Sequence, residues 1–208
     1  MIKDTYIKGI ASGGGGGGSV GATLIKTGQT TSYRTGDDGD LEEGRATDFL
    51  TLGSNNPFSN TNRFTDELGG STYTNNIVID WNTYNGSTVL GYYLGDATSR
   101  TWNDFIDWGV ALSVGTFTAN WRGINVREYY NIFNFSTTRA CNYAPFNTVG
   151  INIGASARFL WTNTTYPTAT TNAIRFDLNS WALQAQSKAN SNNCVATRTF
   201  TVTGTTLT

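Results

Sequence analysis

The chain has 208 residues, 14 basic and 15 acidic side chains and no histidine, and it carries 24 glycines, 34 threonines and 22 asparagines. Without a ring nitrogen there is no Ser-His-Asp relay, no Cys-His nucleophile pair and no imidazole zinc site. A net charge of -1 with no basic run lacks the footprint of a nucleic-acid binder, and an aromatic fraction of 13% beside only 14% charged residues describes a chain that can bury a core.

Residues 1–12 are MIKDTYIKGIAS, with isolated apolar side chains Ile2, Tyr6 and Ile7 between charges. The stretch has no seven-residue apolar core and no small-residue cleavage site, so no signal peptide is expected. No apolar run reaches the length of a membrane span, and no membrane insertion is expected. Six consecutive glycines, 13–18, follow. They have no side chains to bury and the greatest backbone entropy to lose, so 13–20 reads as a flexible tether. The organisation expected is a docking peptide at 1–12 that uses Ile2, Tyr6 and Ile7, the tether at 13–20, and one domain at 21–208.

From residue 21 the chain turns polar, with frequent glycine, as extended strand and turn over a surface. Asp37, Asp38 and Asp40 stand close to Glu42 and Glu43. Clustered carboxylates suit a hard cation such as Ca2+, but the spacing of a dedicated calcium loop is absent, so a solvated acidic turn is the stronger reading and no cofactor is expected.

A buried strand is expected over 77–81 (IVIDW). Next, 101–114 places Trp102, Phe105, Ile106, Gly109 and Val110 on one helical face, with Thr101 as its cap and Asp104 three residues on. A second helix begins after Asn125, with Glu128 at the capping-box position and Val126, Tyr129, Tyr130 and Phe133 as its stripe. Arg127 and Glu128 could also join a buried network. Beyond it the period changes: FLWTNTTY, NAIRFDL, SWALQAQ and CVATRTFTV are short strand-like runs separated by turn residues. The fold class expected is α+β, with two short helices, a mainly antiparallel twisted sheet and long loops.

Several ordered strings support a more specific expectation. Residues 26–44 read KTGQTTSYRTGDDGDLEEG. Arg63-Phe64-Thr65-Asp66, the segment 74–81 and Thr101-Trp102 follow, and then Trp121-Arg122 and Asn125-Val126-Arg127-Glu128. The strings at 160–164 (LWTNT), Phe176-Asp177 and Cys194-Val195 close the set. In this order they resemble the motifs of the Lcl-type domain family, over residues 26 to 200. The resemblance implies a C-type-lectin-like fold, found on bacterial surfaces and phage virions and linked to binding host polysaccharide. Gly123-Ile124 stands where the family has Leu-Pro, and 180–193 replaces its aromatic-rich hairpin.

Trp102, Trp121 and Trp161 read as core rings with an N–H partner. Asp66, Asp80, Asp104, Asp107 and Asp177 leave a two-carboxylate glycosidase formally open, but no spacing selects a pair, and no enzyme is expected. Cys141 and Cys194 could pair or stay free. Sugar recognition combines aromatic faces with amides and hydroxyls. Three loops have that composition, and they nominate Tyr84, Asn85, Tyr92, Tyr143, Asn147, Asn163 and Tyr166 as ligand-binding residues.

The function expected is a non-enzymatic virion appendage, a tail or head fibre or decoration protein, binding a host cell-surface polysaccharide or receptor. Other virion proteins would hold the N-terminal peptide, and a homo-oligomer, with a trimer favoured, is expected. A purely structural capsid or tail component and a bacterial surface adhesin are the alternatives. The location expected is the virion, or else the bacterial cell surface.

Overall fold

The structure is a computed structural model that describes residues 29–35, 37, 49–154 and 159–208. The docking peptide with Ile2, Tyr6 and Ile7, the tether, Asp38 and Asp40 lie outside the described residues. The described part is α+β: nine strands, all paired antiparallel, with two short α-helices between them.

In the larger sheet, β1 (Phe64–Thr65), β2 (Ile77–Asp80), β3 (Thr88–Tyr93), β8 (Ala196–Thr203) and β4 (Arg122–Gly123) lie in that order, and β9 (Thr206–Leu207) folds back on β8. All four residues of β2 are buried. Burial of all four, three apolar residues and Asp80, means that both faces of the sheet are covered. Val78 points into a cluster with Tyr92, Tyr129, Phe133, Phe146 and Phe176, while Ile77 and Ile79 point into a second with Trp81, Trp121 and Phe200. The strand stops one residue earlier than the sequence suggests. Asp80 accepts from the Asn82 amide at 3.0 Å, and Trp81 opens a short 3-10 turn, Trp81–Thr83.

Helix α1 (Trp102–Ala111) starts where expected. The Thr101 hydroxyl accepts from the Asp104 amide at 3.3 Å and donates to the Asp104 carboxylate at 2.6 Å. The helix buries Phe105 and Gly109, while Val110, expected on the apolar face, is 67% exposed. The contact stripe is narrow because α1 lies close to β4. A Cβ on Gly109 would come within 2.7 Å of the Gly123 nitrogen, and one on Gly123 would meet the Phe105 ring at 2.4 Å. That approach is the physical reason for glycine at 123.

Helix α2 (Val126–Asn131) has the full capping box. The Asn125 side chain accepts from the amides of Arg127 and Glu128 at 2.9 and 3.0 Å, and Glu128 accepts from the Asn125 amide at 2.9 Å. The ion-pair partner of Glu128 is Arg122, not Arg127. Tyr129 is buried, but Tyr130 is 46% exposed.

The second sheet is an antiparallel meander, β5 (Phe159–Thr165), β6 (Asn172–Asp177) and β7 (Ala182–Ser187). Trp121 and Trp161 are the buried core rings expected, while Trp102 is only partly buried, and all three have an N–H partner. Indole N–H groups of Trp102, Trp121 and Trp161 donate to the carbonyls of Thr162, Phe117 and Arg100 at 2.8, 2.9 and 2.9 Å.

Cys141 and Cys194 are free and buried. Burial raises both thiols above the ordinary range, Cys194 to about 12, and raises the buried phenols of Tyr92, Tyr129 and Tyr143 well above theirs. The folded chain therefore keeps protons that the unfolded chain sheds from about pH 8.5 for thiols and about pH 10 for phenols. The stability these groups contribute is complete below those values and is lost as pH rises toward the folded ones. The melting temperature is expected to fall progressively above about pH 8.5. Both thiols should stay unreactive to a thiol reagent at pH 8 until denaturant is added, and a thiol that reacts in the native state would contradict this burial.

Candidate functional site: an exposed aromatic platform

The residues nominated from the loops do not come together as one site. Tyr92 and Tyr143 are corrected outright: both are buried, and both rings pack against Phe146, at 6.0 and 5.4 Å between centroids. The Tyr143 hydroxyl donates to the Ile132 carbonyl at 2.6 Å. Neither ring presents a face to a ligand.

The other five lie nearer the surface, and local structure occupies most of their polar groups. Tyr84 packs edge-on against Trp81 and donates to the Gly86 carbonyl at 3.0 Å. The Asn85 side chain closes its own turn, accepting from the amides of Ser87 and Thr88 at 3.0 and 2.8 Å. Asn147 donates to Asn142 at 3.4 Å while its own carbonyl oxygen is buried without a partner. Asn163 and Tyr166 stand at the end of β5, the tyrosine 36% exposed. Among the described residues, no hydrogen bond or ring contact joins these side chains to one another.

The carboxylates are mostly engaged in structural roles. Asp66 accepts from three backbone amides, those of Leu68, Gly70 and Thr72, and Asp177 accepts from that of Asn179. Asp104 belongs to the α1 cap and Asp80 to a buried ion pair. Asp37 accepts from the amides of Tyr33 and Arg34 at 2.7 and 3.0 Å. Among the described residues, no group of three or more acidic or cysteine side chains could hold a metal ion, and no helix is long and apolar enough to cross a membrane.

A different cluster gathers exposed rings. The chain leaving α2 carries Phe135, 46% exposed, to the hairpin turn between β6 and β7. There Phe135 stacks on Trp181, with centroids 5.0 Å apart and planes 23° from parallel. Phe133 lies beneath, edge-on to Trp181 at 6.1 Å and to Phe176 at 4.8 Å. Tyr130 packs edge-on against both Phe133 and Phe176, at 5.4 and 5.3 Å. Leu183, 41% exposed, is the cross-strand partner of Phe176. Tyr130, Phe135, Trp181 and Leu183 thus share one apolar surface supported by buried rings. Ser136, Asn179 and Ser180, adjacent in sequence to these rings, are exposed and supply hydroxyl and amide groups at the rim.

Trp181 has φ 58°. This left-handed conformation crowds the Cβ of a bulky residue and costs on the order of 1–2 kcal/mol, so the turn would be more stable with glycine there. Trp181 is partly buried against the core, yet a large ring kept in a strained turn points to selection for that ring. The signal available in the sequence was a large aromatic residue directly after Asn179-Ser180, at a turn position.

The second feature that residue spacing did not reveal lies inside. Arg63 and Asp80 are both fully buried and form a two-pronged pair, Nε to Oδ1 and Nη2 to Oδ2, each at 2.9 Å. The guanidinium lies between the rings of Phe49 and Phe64, at 4.4 and 4.5 Å, and also donates to the carbonyls of Phe49 and Asn131. Burial opposes its charge, but the Asp80 carboxylate outweighs that and raises its pKa. This pair ties β1 and β2 to the end of α2, just ahead of the platform.

Comparison with protein-family models, with curated proteins and with solved structures returns no match.

Proposed function

We propose that this chain is a non-enzymatic binding module with a C-type-lectin-like fold, carried on a virion and attaching it to a host cell-surface polysaccharide. The aromatic platform carries the reading. Stacked and exposed rings offer flat apolar faces to the C–H side of a pyranose, and neighbouring amides and hydroxyls can meet the sugar's own hydroxyls. A strained tryptophan at the centre is what a site selected for binding rather than stability would retain.

Two short capped helices beside a mainly antiparallel sheet agree with what the Lcl-type resemblance leads one to expect. The tether and the N-terminal peptide suit a domain that projects from an assembly, with Ile2, Tyr6 and Ile7 as its attachment. The test is binding of the full chain to an array of bacterial surface polysaccharides and to intact cells. Saturable binding to a subset of glycans, competed by the free glycan, is expected. Absence of binding to every glycan and every susceptible cell would overturn the reading in favour of a purely structural component.

A further inference from the structure

Among the described residues, the meander ends in an open sheet edge whose backbone geometry specifies a partner. Antiparallel strands alternate between residues bonded to the neighbouring strand and residues whose N–H and C=O point away from it. The Lys188 N–H donates to the Thr171 carbonyl at 3.0 Å, so Asn172 and Ser187, paired in register, form a non-hydrogen-bonded pair. By alternation, Ala182, Gln184 and Gln186 bond to β6, while Leu183, Ala185 and Ser187 direct their backbone groups outward. The Ser187 carbonyl accepts from the Asn190 amide at 3.1 Å. Among the described residues, no backbone group meets the outward N–H and C=O of Leu183 or Ala185.

The other sheet edges differ. β1, β4 and β9 have two residues each. The outer side of β5 is bonded, with the Trp161 amide donating to Asn193 at 3.0 Å and the Asn163 amide to Ile124 at 2.9 Å. Among the described residues, β7 is the one edge strand that is six residues long and open, and its sequence ALQAQS contains no charge and no proline. These are the devices by which proteins keep a free edge from pairing. Two cations adjoin the strand and both are drawn aside: the Lys188 ammonium sits 3.9 Å from the Trp102 ring centre and donates to Thr165, and the Arg175 guanidinium on β6 donates to the Gln184 side chain at 3.2 and 2.9 Å and lies 3.7 Å over the Phe159 ring.

We propose that β7 is the docking edge for a second copy of this chain, the two β7 strands pairing antiparallel about a two-fold axis near Gln184. In that register the Leu183 N–H meets the Ala185 C=O of the second copy and the Ala185 N–H meets its Leu183 C=O, with the reciprocal bonds by symmetry. Every outward group of these two residues is then satisfied. Two copies of an uncharged edge do not repel, and the exposed Leu183 gains a neighbour on the apolar face. The pairing joins two three-stranded meanders into one continuous six-stranded sheet. An isologous edge closes as a dimer, in place of the expected trimer.

The test is the solution mass of the full chain across a concentration series, with amide hydrogen exchange read on β7. A species of twice the 22.5 kDa chain mass is expected at high concentration, with the Leu183 and Ala185 amides protected in it and exchanging rapidly on dilution. Ala185→Pro removes an outward N–H that β6 does not use, and Ala185→Lys places like charges across the axis. Both should be monomeric with unchanged circular dichroism and melting temperature. A wild-type chain that stays monomeric throughout the series overturns the proposal. So does a dimer or larger oligomer that persists in both variants, or one whose β7 amides exchange as freely as in the monomer.

Discussion

Replacing Asp80 by asparagine is expected to destabilise the fold by about 3–5 kcal/mol, the range seen when one partner of a buried ion pair is removed. The substitution keeps the shape and cancels the charge. Arg63, fully buried, is then left with neutral acceptors only. Arg63 cannot escape by releasing its proton, because its guanidinium stays charged at any accessible pH. Two losses add to this. The Asp80 carboxylate also caps the 3-10 turn through the Asn82 amide, and it anchors the guanidinium that reaches the Asn131 carbonyl at the end of α2.

Urea unfolding is the measurement, read as a lower midpoint at unchanged slope. The pair need not be worth this much in itself. A double variant, Arg63→Met with Asp80→Leu, removes both charges and should recover a large part of the loss, since apolar replacement of a buried pair is often near neutral. If Asp80→Asn unfolds within about 1 kcal/mol of wild type, the pair does not hold β1, β2 and α2 together as described.

What could be read from residues alone was whatever is local. The Thr101 cap and the Asn125–Glu128 box use side chains two or three positions from the amides they meet, so spacing identifies them before any fold is known. The short β-rich runs likewise became β5 to β8, and the α+β class followed. The features that were missed depend on distant segments meeting. Nothing local pairs Gly91 with Arg198 and so places the last long strand beside β3. Nothing local pairs Arg63 with Asp80, although both residues were visible as isolated charges.

Solvent exposure misled in both directions for the same reason. Tyr92 and Tyr143 belong to polar, loop-like strings, yet both are buried in one core with Phe146. Tyr130 follows the helical stripe of Tyr129 and Phe133, yet α2 is only six residues long and turns that ring toward the surface. The platform arises where the chain leaving α2 meets the β6–β7 turn. A reading confined to sequence windows finds Phe135 and Trp181 in separate places and sees one plain loop and one plain hairpin.

That meeting makes Trp181 the most informative side chain for function. Trp181→Ala is expected to weaken glycan binding by about 2 kcal/mol or more, roughly thirty-fold, as removal of a central aromatic anchor does at other interfaces. Its effect on folding should be a moderate loss of about 1–3 kcal/mol, because the ring is partly buried against the core and forfeits its contacts with Phe133 and Phe135, on the order of 0.5–1.5 kcal/mol each. Trp181→Gly separates the two roles. Glycine is at ease at φ 58°, so this variant should be more stable than Trp181→Ala by on the order of 1 kcal/mol while binding no better. Trp181→Phe keeps a ring in the strained turn and should retain part of the affinity. Isothermal titration with a glycan that the wild type binds, alongside thermal melts, reads both quantities on the same samples. If Trp181→Ala binds that glycan as tightly as the wild type, the platform is not the site, and Tyr84, Asn85, Asn163 and Tyr166 become the positions to substitute next.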